Sequence, residues 1–238
     1  MSTATKSLLV TRAELPAGLT AIPIRTPLVR PGDDLVAAIG LAVRGIARGG
    51  DVIAVSETAV AIAQGEFVAA EYVRPSALAF AIARRADPMA TISQPESIQL
   101  VIDRVGWWRV VYATLLQAVG RLAGRRGAFY EVLGDAVAAV DGYTGTMPPY
   151  ERAIVFAPRD PSGFAQAVAA QVGVSCAVVD ANDLGRAKVL GASRSVDAAN
   201  VESALLDNPH GNSDEQTPLV VLKWRGEGPS PLTNGEAP

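Results

Sequence analysis

The sequence predicts an α/β fold of the mixed α+β kind. Short apolar runs bounded by turn residues alternate with stretches of helical spacing for most of the length. Hydrophobic residues make up 49% of the 238 and charged residues 19%, which excludes a disordered chain and supplies a core without disulfides. No Gly-x-Gly-x-x-Gly follows a strand and no Gly-Lys-Ser/Thr occurs, so the common dinucleotide and nucleotide fingerprints are missing.

Leu19–Ile24 is the first apolar run and reads as a strand. Pro31-Gly32 makes a turn, and an aspartate after it caps a helix over Leu35–Ala47, whose apolar residues recur at helical spacing. Gly49-Gly50 stops that helix, and Asp51–Val55 reads as a buried strand. Val60–Gln64 ends at Gly65, and Pro75 suits the first position of a helix over Ser76–Arg85. Two helices follow, Ser97–Val105 and the stronger Val110–Leu122. Ala136–Val140 reads as a strand before the loop Asp141–Glu151. A strand at Ala153–Ala157, a helix at Pro161–Gln171 and a strand at Ser175–Asp180 come next. Ala198–Leu206 is a helix, and Leu219–Trp224 is the last strand. The expected organisation is an N-terminal segment 1–18, one α/β domain over 19–225, and a disordered Gly/Pro/Ser-rich tail over 226–238.

Net charge is −3, which argues against a general nucleic-acid partner. One cysteine, Cys176, rules out an internal disulfide; one histidine, His210, rules out a multi-histidine metal cage. Cys176 sits in a strand pattern and reads as a small buried apolar residue. The N-terminus lacks a basic start followed by a long apolar run, so a cytoplasmic protein with no membrane partner is the expectation. Val105–Gly124 is the most apolar window, interrupted by Arg109, Gln117 and Arg121. It reads as a buried or interface helix suited to a homodimer contact. Its two tryptophans and basic ends leave a membrane-surface reading open.

Three polar loops adjoin apolar strands, where open α/β sheets place their sites. In the first, Asp141–Tyr150, Thr144, Gly145 and Thr146 offer hydroxyls and free backbone N–H groups to a phosphate. A proline-stiffened connection explains the same residues. In the second, Val178–Arg186, Asp180 and Asp183 are hard oxygen donors suited to Mg²⁺ or Mn²⁺, and Arg186 suits a phosphate. Capping by Asp180 and Asn182 is the plainer alternative. The third, Asp207–Pro218, is the densest polar cluster. Asp207 is a metal candidate there, and Asn208, His210, Gly211, Asn212, Glu215 and Gln216 are ligand-binding candidates. Asp214-Glu215 reads either as a metal pair or as a charged loop tip. Asp33-Asp34 is a fourth carboxylate pair, which a helix cap explains more simply.

Four segments together resemble the coenzyme F-420-0:L-glutamate ligase family. They are IPIRTPLVRPGDDLVAAI (22–39), GGDVIAVSETAVAIAQGE (49–66), IVFAPRDPSGFAQAV (154–168) and CAVVDANDLGR (176–186). The resemblance implies a mixed α/β fold, a homodimer, and a GTP-dependent amide ligase that works through an acyl phosphate with divalent metals. It also marks departures. Ala61 and Ile62 stand where the family places a serine and a lysine toward GTP. Thr144 stands where it has a metal-binding aspartate. Asn182 and Asp183 fall on its Asp-Thr pair, with Asp180 two residues out of step. Asp207 lies four residues before Gly211, where the family places an acidic ligand five before its glycine.

The expected function is therefore a divergent gamma-glutamyl-ligase-like protein, forming an amide on a small carboxylate with GTP and Mg²⁺ or Mn²⁺. Its partners are then a small-molecule substrate or nucleotide and a second copy of the chain. The alternative is a non-catalytic, ligand-binding relative of the same fold.

Overall fold

The computed structural model describes residues 18–86, 93–122, 124, 127–134, 140–141, 148–211, 215–226 and 228–235. The chain is mixed α/β, and its described residues fall into two compact units. The first draws on the stretches 1–29, 34–60 and 160–238, the second on 30–33 and 61–159.

The first unit holds a five-stranded sheet of β1 (Leu19–Ile24), β2 (Val52–Ser56), β6 (Ser175–Asn182), β7 (Arg186–Ala192) and β8 (Leu219–Trp224). Their spatial order is β1-β8-β2-β6-β7. Only β2 and β6 run parallel, in register from Val52↔Ser175 to Ser56↔Val179; the other pairs are antiparallel. The first four residues of β2, Val-Ile-Ala-Val, are fully buried, as a central strand covered on both faces must be. On one face Val52, Ala54, Ala177, Val179, Val220 and Leu222 meet Val201, Ala204 and Leu205 of the Ala198–Ala204 helix and its end. Each such Val or Leu removed from water contributes roughly 1.5–3 kcal/mol.

The helix Pro161–Val172 packs on β6 and β7, and the helix Leu35–Ala42 packs on it in turn. Its approach to β7 explains one glycine. A Cβ on Gly191 would lie 2.4 Å from the Ser162 nitrogen, so a side chain there would push the helix off the sheet.

The second unit holds the antiparallel sheet β3-β5-β4, with β3 at Phe67–Ala69, β4 at Val140–Asp141 and β5 at Ala153–Phe156. Helices Ala77–Ala83, Pro95–Val105, Trp107–Leu122 and Ala128–Leu133 belong to it. Their core is Ile82, Ile98, Val101, Ile102, Val110, Ala113, Phe129 and Leu133, joined by Val140 and Ile154 of the sheet. Gly106, at φ 87°, breaks the helix before Trp107.

Several expectations shift. The first helix stops at Ala42, not Ala47. Ser76 caps the Ala77–Ala83 helix, so Pro75 precedes the cap instead of opening the helix. β3, β7 and the Ala128–Leu133 helix were not anticipated; β7 is polar along much of one face, and its start was read as ligand loop. Of the strand expected at Ala136–Val140, residues 136–139 lie outside the described residues. Residues 228–235 pack instead of trailing: Leu232 is fully buried, and its carbonyl accepts from the Asp197 N–H at 2.8 Å. One leucine anchors a stretch whose composition suggests a loose tail.

Candidate functional site

β6 and β7 are joined by a tight turn at one end of the first unit's sheet. Asn182 Oδ1 accepts from the Leu184 N–H at 3.0 Å, and Gly185 takes φ 69°. Those are the requirements of an Asx turn closed by glycine. The turn presents Asp183, with Arg186 just after it, and both are exposed.

The described residues 205–211 and 215–218 lie along the same end. They begin beside that turn: the Asn208 amide donates to Asp183 Oδ1 at 2.7 Å. They finish against two other strands. The Thr26 N–H donates to the Gln216 carbonyl at 3.0 Å, and Arg25 Nε donates to the Glu215 carbonyl at 3.0 Å, both just after β1. The Ser56 N–H, at the end of β2, donates to the Pro218 carbonyl at 2.8 Å. Two of the three polar segments singled out by sequence thus meet at one edge.

Backbone conformation within the loop is costly. Asn208 and Gln216 hold left-handed backbone at φ 45° and 55°, which non-glycine residues adopt only where their surroundings impose it. Gly211 has φ 74°, and a Cβ there would lie 2.6 Å from the carboxyl carbon of Glu215. The positive φ is what calls for glycine at this position, since the Glu215 carboxyl is the end of a flexible side chain that can move aside.

His210 closes the loop on itself. Its Nδ1 lies 3.1 Å from the Thr217 carbonyl, and the Thr217 hydroxyl donates to the His210 carbonyl. A carbonyl can only accept, so Nδ1 carries the proton and Nε2 keeps its lone pair. Nε2 is buried and has no hydrogen-bond partner among the described residues. Burial pulls the imidazole down to about 4, against the opposing effect of the Thr217 hydrogen bond. His210 is neutral at neutral pH.

The metal candidates do not assemble. Asp180 is paired in register with Lys188 across β6 and β7. Its carboxyl is raised by desolvation, with Lys188 acting the other way. Asp183 engages Asn208, and Asp207 is exposed. Among the described residues no group of three His, Cys, Asp or Glu is placed to hold a metal ion. Thr144, Gly145, Thr146, Asn212 and Asp214 lie outside the described residues.

Other expectations resolve into structure. Asp34 caps the Leu35–Ala42 helix by accepting from the Ala37 N–H at 3.0 Å. Asp33 closes its turn by accepting from the Arg30 N–H at 2.7 Å. Cys176 is fully buried, and desolvation pushes its thiol far up, so it is chemically inert. Tyr150 packs edge-on against Phe67, ring centroids 5.4 Å apart. Burial raises its hydroxyl, with Arg30 opposing and Asp33 adding.

Ala61 and Ile62 are buried on the Glu57–Ala63 helix and offer no polar group. Arg25, Thr26 and Thr217 were missed by sequence reasoning. For Arg25 and Thr26 the signal was an Arg-Thr pair directly after the first strand; for Thr217 it was a place in the polar loop.

The model of the F420-0:gamma-glutamyl ligase family matches residues 23–216. No curated protein matches the chain.

Proposed function

Because the chain belongs to the F420-0:gamma-glutamyl ligase family, its function is gamma-glutamyl-ligase-like in general, and we propose that it forms an amide bond on a small carboxylate substrate. The observation that carries this reading is the match over residues 23–216, which takes in the 178–186 segment and the polar loop as far as Gln216.

A carboxylate does not react with an amine until one of its oxygens becomes a leaving group. In the proposed reaction the terminal phosphate of GTP is transferred to a carboxylate oxygen, and GDP leaves. The amine of L-glutamate then attacks the carbonyl carbon, the C–O bond to phosphate breaks, and the nitrogen loses a proton. Such catalysis is mostly positioning and charge neutralisation. In this chain Arg186, exposed just after the turn, and Arg25, bonded to the Glu215 carbonyl, are the cations assigned to an anionic carboxylate or phosphate. The Asp183–Asn208 contact fixes the loop against the turn. The described residues do not fit a divalent-metal cradle, so no step is assigned to a metal.

A second reading, a non-catalytic ligand-binding relative, has the burial of Ala61 and Ile62 in its favour, since a phosphate gains nothing from either. One assay separates the two. Purified protein is incubated with GTP, Mn²⁺, L-glutamate and coenzyme F420-0, and the glutamylated product is sought by mass spectrometry beside a calorimetric GTP titration. Product supports the ligase. GTP binding without product supports the second reading, and neither binding nor product in a folded sample sinks the ligase proposal. A cytoplasmic homodimer remains part of the proposal and is read from solution mass.

A further inference from the structure

The packed segment 228–235 ends on a pair of residues, Asn234 and Gly235, that the candidate site does not use. Five asparagines occur in the sequence, and Asn234 alone is followed by glycine. The side-chain amide of an asparagine is open to attack by the backbone nitrogen of the next residue. The side chain of that next residue normally hinders the approach. Asn182, Asn200, Asn208 and Asn212 precede Asp183, Val201, Pro209 and Ser213, and a proline nitrogen has no hydrogen to give up. Gly235 has no Cβ to stand in the way. Its φ of 83° also ties the position to glycine, so the pair comes with the turn. Both residues are exposed.

The place of the pair in the fold gives such an attack a consequence. Residues 231–234 are strapped to the stretch between β7 and the Ala198–Ala204 helix. The Asp197 N–H donates to the Leu232 carbonyl at 2.8 Å, the Asn200 amide donates to the Pro231 carbonyl at 2.8 Å, and Thr233 bridges to Val196. Asn234 fastens the end of the strap. Its N–H donates to the Ser195 carbonyl at 2.9 Å, and its side-chain amide donates to the Arg194 carbonyl at 3.2 Å. The second bond is exposed and at the long end of the hydrogen-bond range, so the side chain leaves it readily. It also depends on the amide being intact. A carbonyl only accepts, and a carboxylate at 234 would set one acceptor against another.

We propose that Asn234-Gly235 is a self-modification site, at which deamidation unfastens the strap, independently of the ligase reading. The Gly235 nitrogen forms a bond to the side-chain carbonyl carbon of Asn234. The bond from that carbon to the amide nitrogen breaks, and ammonia leaves with the proton from Gly235. Water then opens the cyclic imide at either carbonyl, giving aspartate or isoaspartate. Both products lose the bond to Arg194, and isoaspartate also adds a methylene to the backbone that reaches Ser195. The test is incubation of the full chain at mildly alkaline pH. Each asparagine is followed by peptide mass spectrometry, with electron-transfer fragmentation to separate aspartate from isoaspartate. Conversion is expected at Asn234 before any at Asn182, Asn200 or Asn208. Hydrogen exchange of the aged protein, and of Asn234→Asp, should be about fivefold or more faster at residues 195–197 than in fresh protein, as the loss of one hydrogen bond implies. Asn234→Gln, which would have to close a larger ring, should age without that change. An Asn234 that keeps its amide in the folded chain while another asparagine converts, or that keeps it throughout, overturns the proposal. So does conversion that leaves exchange at 195–197 unaltered, or the same ageing change in Asn234→Gln.

Discussion

At each end of the five-stranded sheet one basic side chain is buried, and the two are treated differently. Where β2 begins and β8 stops, Lys223 Nζ lies 3.3 Å from Asp51 Oδ2 and also donates to the Ile46 carbonyl. Asp51 accepts in addition from the Trp224 N–H at 3.1 Å and the Arg48 N–H at 3.0 Å. Every strong group there has a partner. At the opposite end, His210 is buried with one ring nitrogen engaged and the other without a partner among the described residues. Buried polar atoms are satisfied as a rule, and exceptions concentrate where something besides stability is being served. The first end holds the sheet together; the second is where the loop carrying the candidate site is kept in strained backbone.

Removing one member of the satisfied pair should have the largest effect. Lys223→Met leaves the Asp51 carboxylate buried without its cation, and a loss of about 3–5 kcal/mol is expected in denaturant unfolding. Asp51→Asn with Lys223→Met together should cost less than Lys223→Met alone, because no uncompensated charge remains. A double variant as unstable as the single one would break the contrast between the two ends.

The His210 end should show its character in pH dependence. The folded imidazole is held near 4 against 6.5 for the ordinary group. Above 6.5 both states are neutral and nothing is gained or lost. Between about 6.5 and 4 the unfolded chain takes up the proton and the folded one does not, so stability falls as pH falls. A decline of a few kcal/mol across that window is expected, and His210→Gln should flatten it. An unchanged slope in the variant would place the linkage elsewhere.

The Asp183–Asn208 contact should contribute least. A double-mutant cycle with Asp183→Ala and Asn208→Ala is expected to give a coupling of about 1–3 kcal/mol, since the acceptor is a carboxylate. Coupling near zero would detach the loop from the turn and separate the two polar segments.

The contrast also explains what could be read in advance. Strand and helix positions followed from apolar spacing, because Val52–Val55 and Ser175–Val179 are buried on both faces and carry no polar interruption. β7 escaped because its exposed Arg186 and Lys188 resemble a loop when only one face is covered. At the candidate site, sequence singles out Asp183 and Arg186 beside a strand and Asn208, His210, Gly211, Glu215 and Gln216 in a dense polar loop that is visible as composition. It did not find Arg25, Thr26 or Thr217, which act through backbone groups and long-range pairing. The Asp51–Lys223 pair was equally hidden, its partners being 172 positions apart. Apolar spacing reads Trp107–Leu122 as a buried or interface helix without saying which face is covered; Val110 and Ala113 are buried, and Trp108, Tyr112, Leu115 and Val119 are exposed.

Hydrogen exchange with and without GTP, Mn²⁺ and L-glutamate tests the central claim most directly, that the His210 end is the ligand end. The account predicts slowed exchange at residues 183–186 and 205–217 when the mixture is added, with none around Arg48, Asp51 and Trp224. Slowing confined to the Asp51–Lys223 end, or unchanged exchange at 183–186 and 205–217, would contradict it.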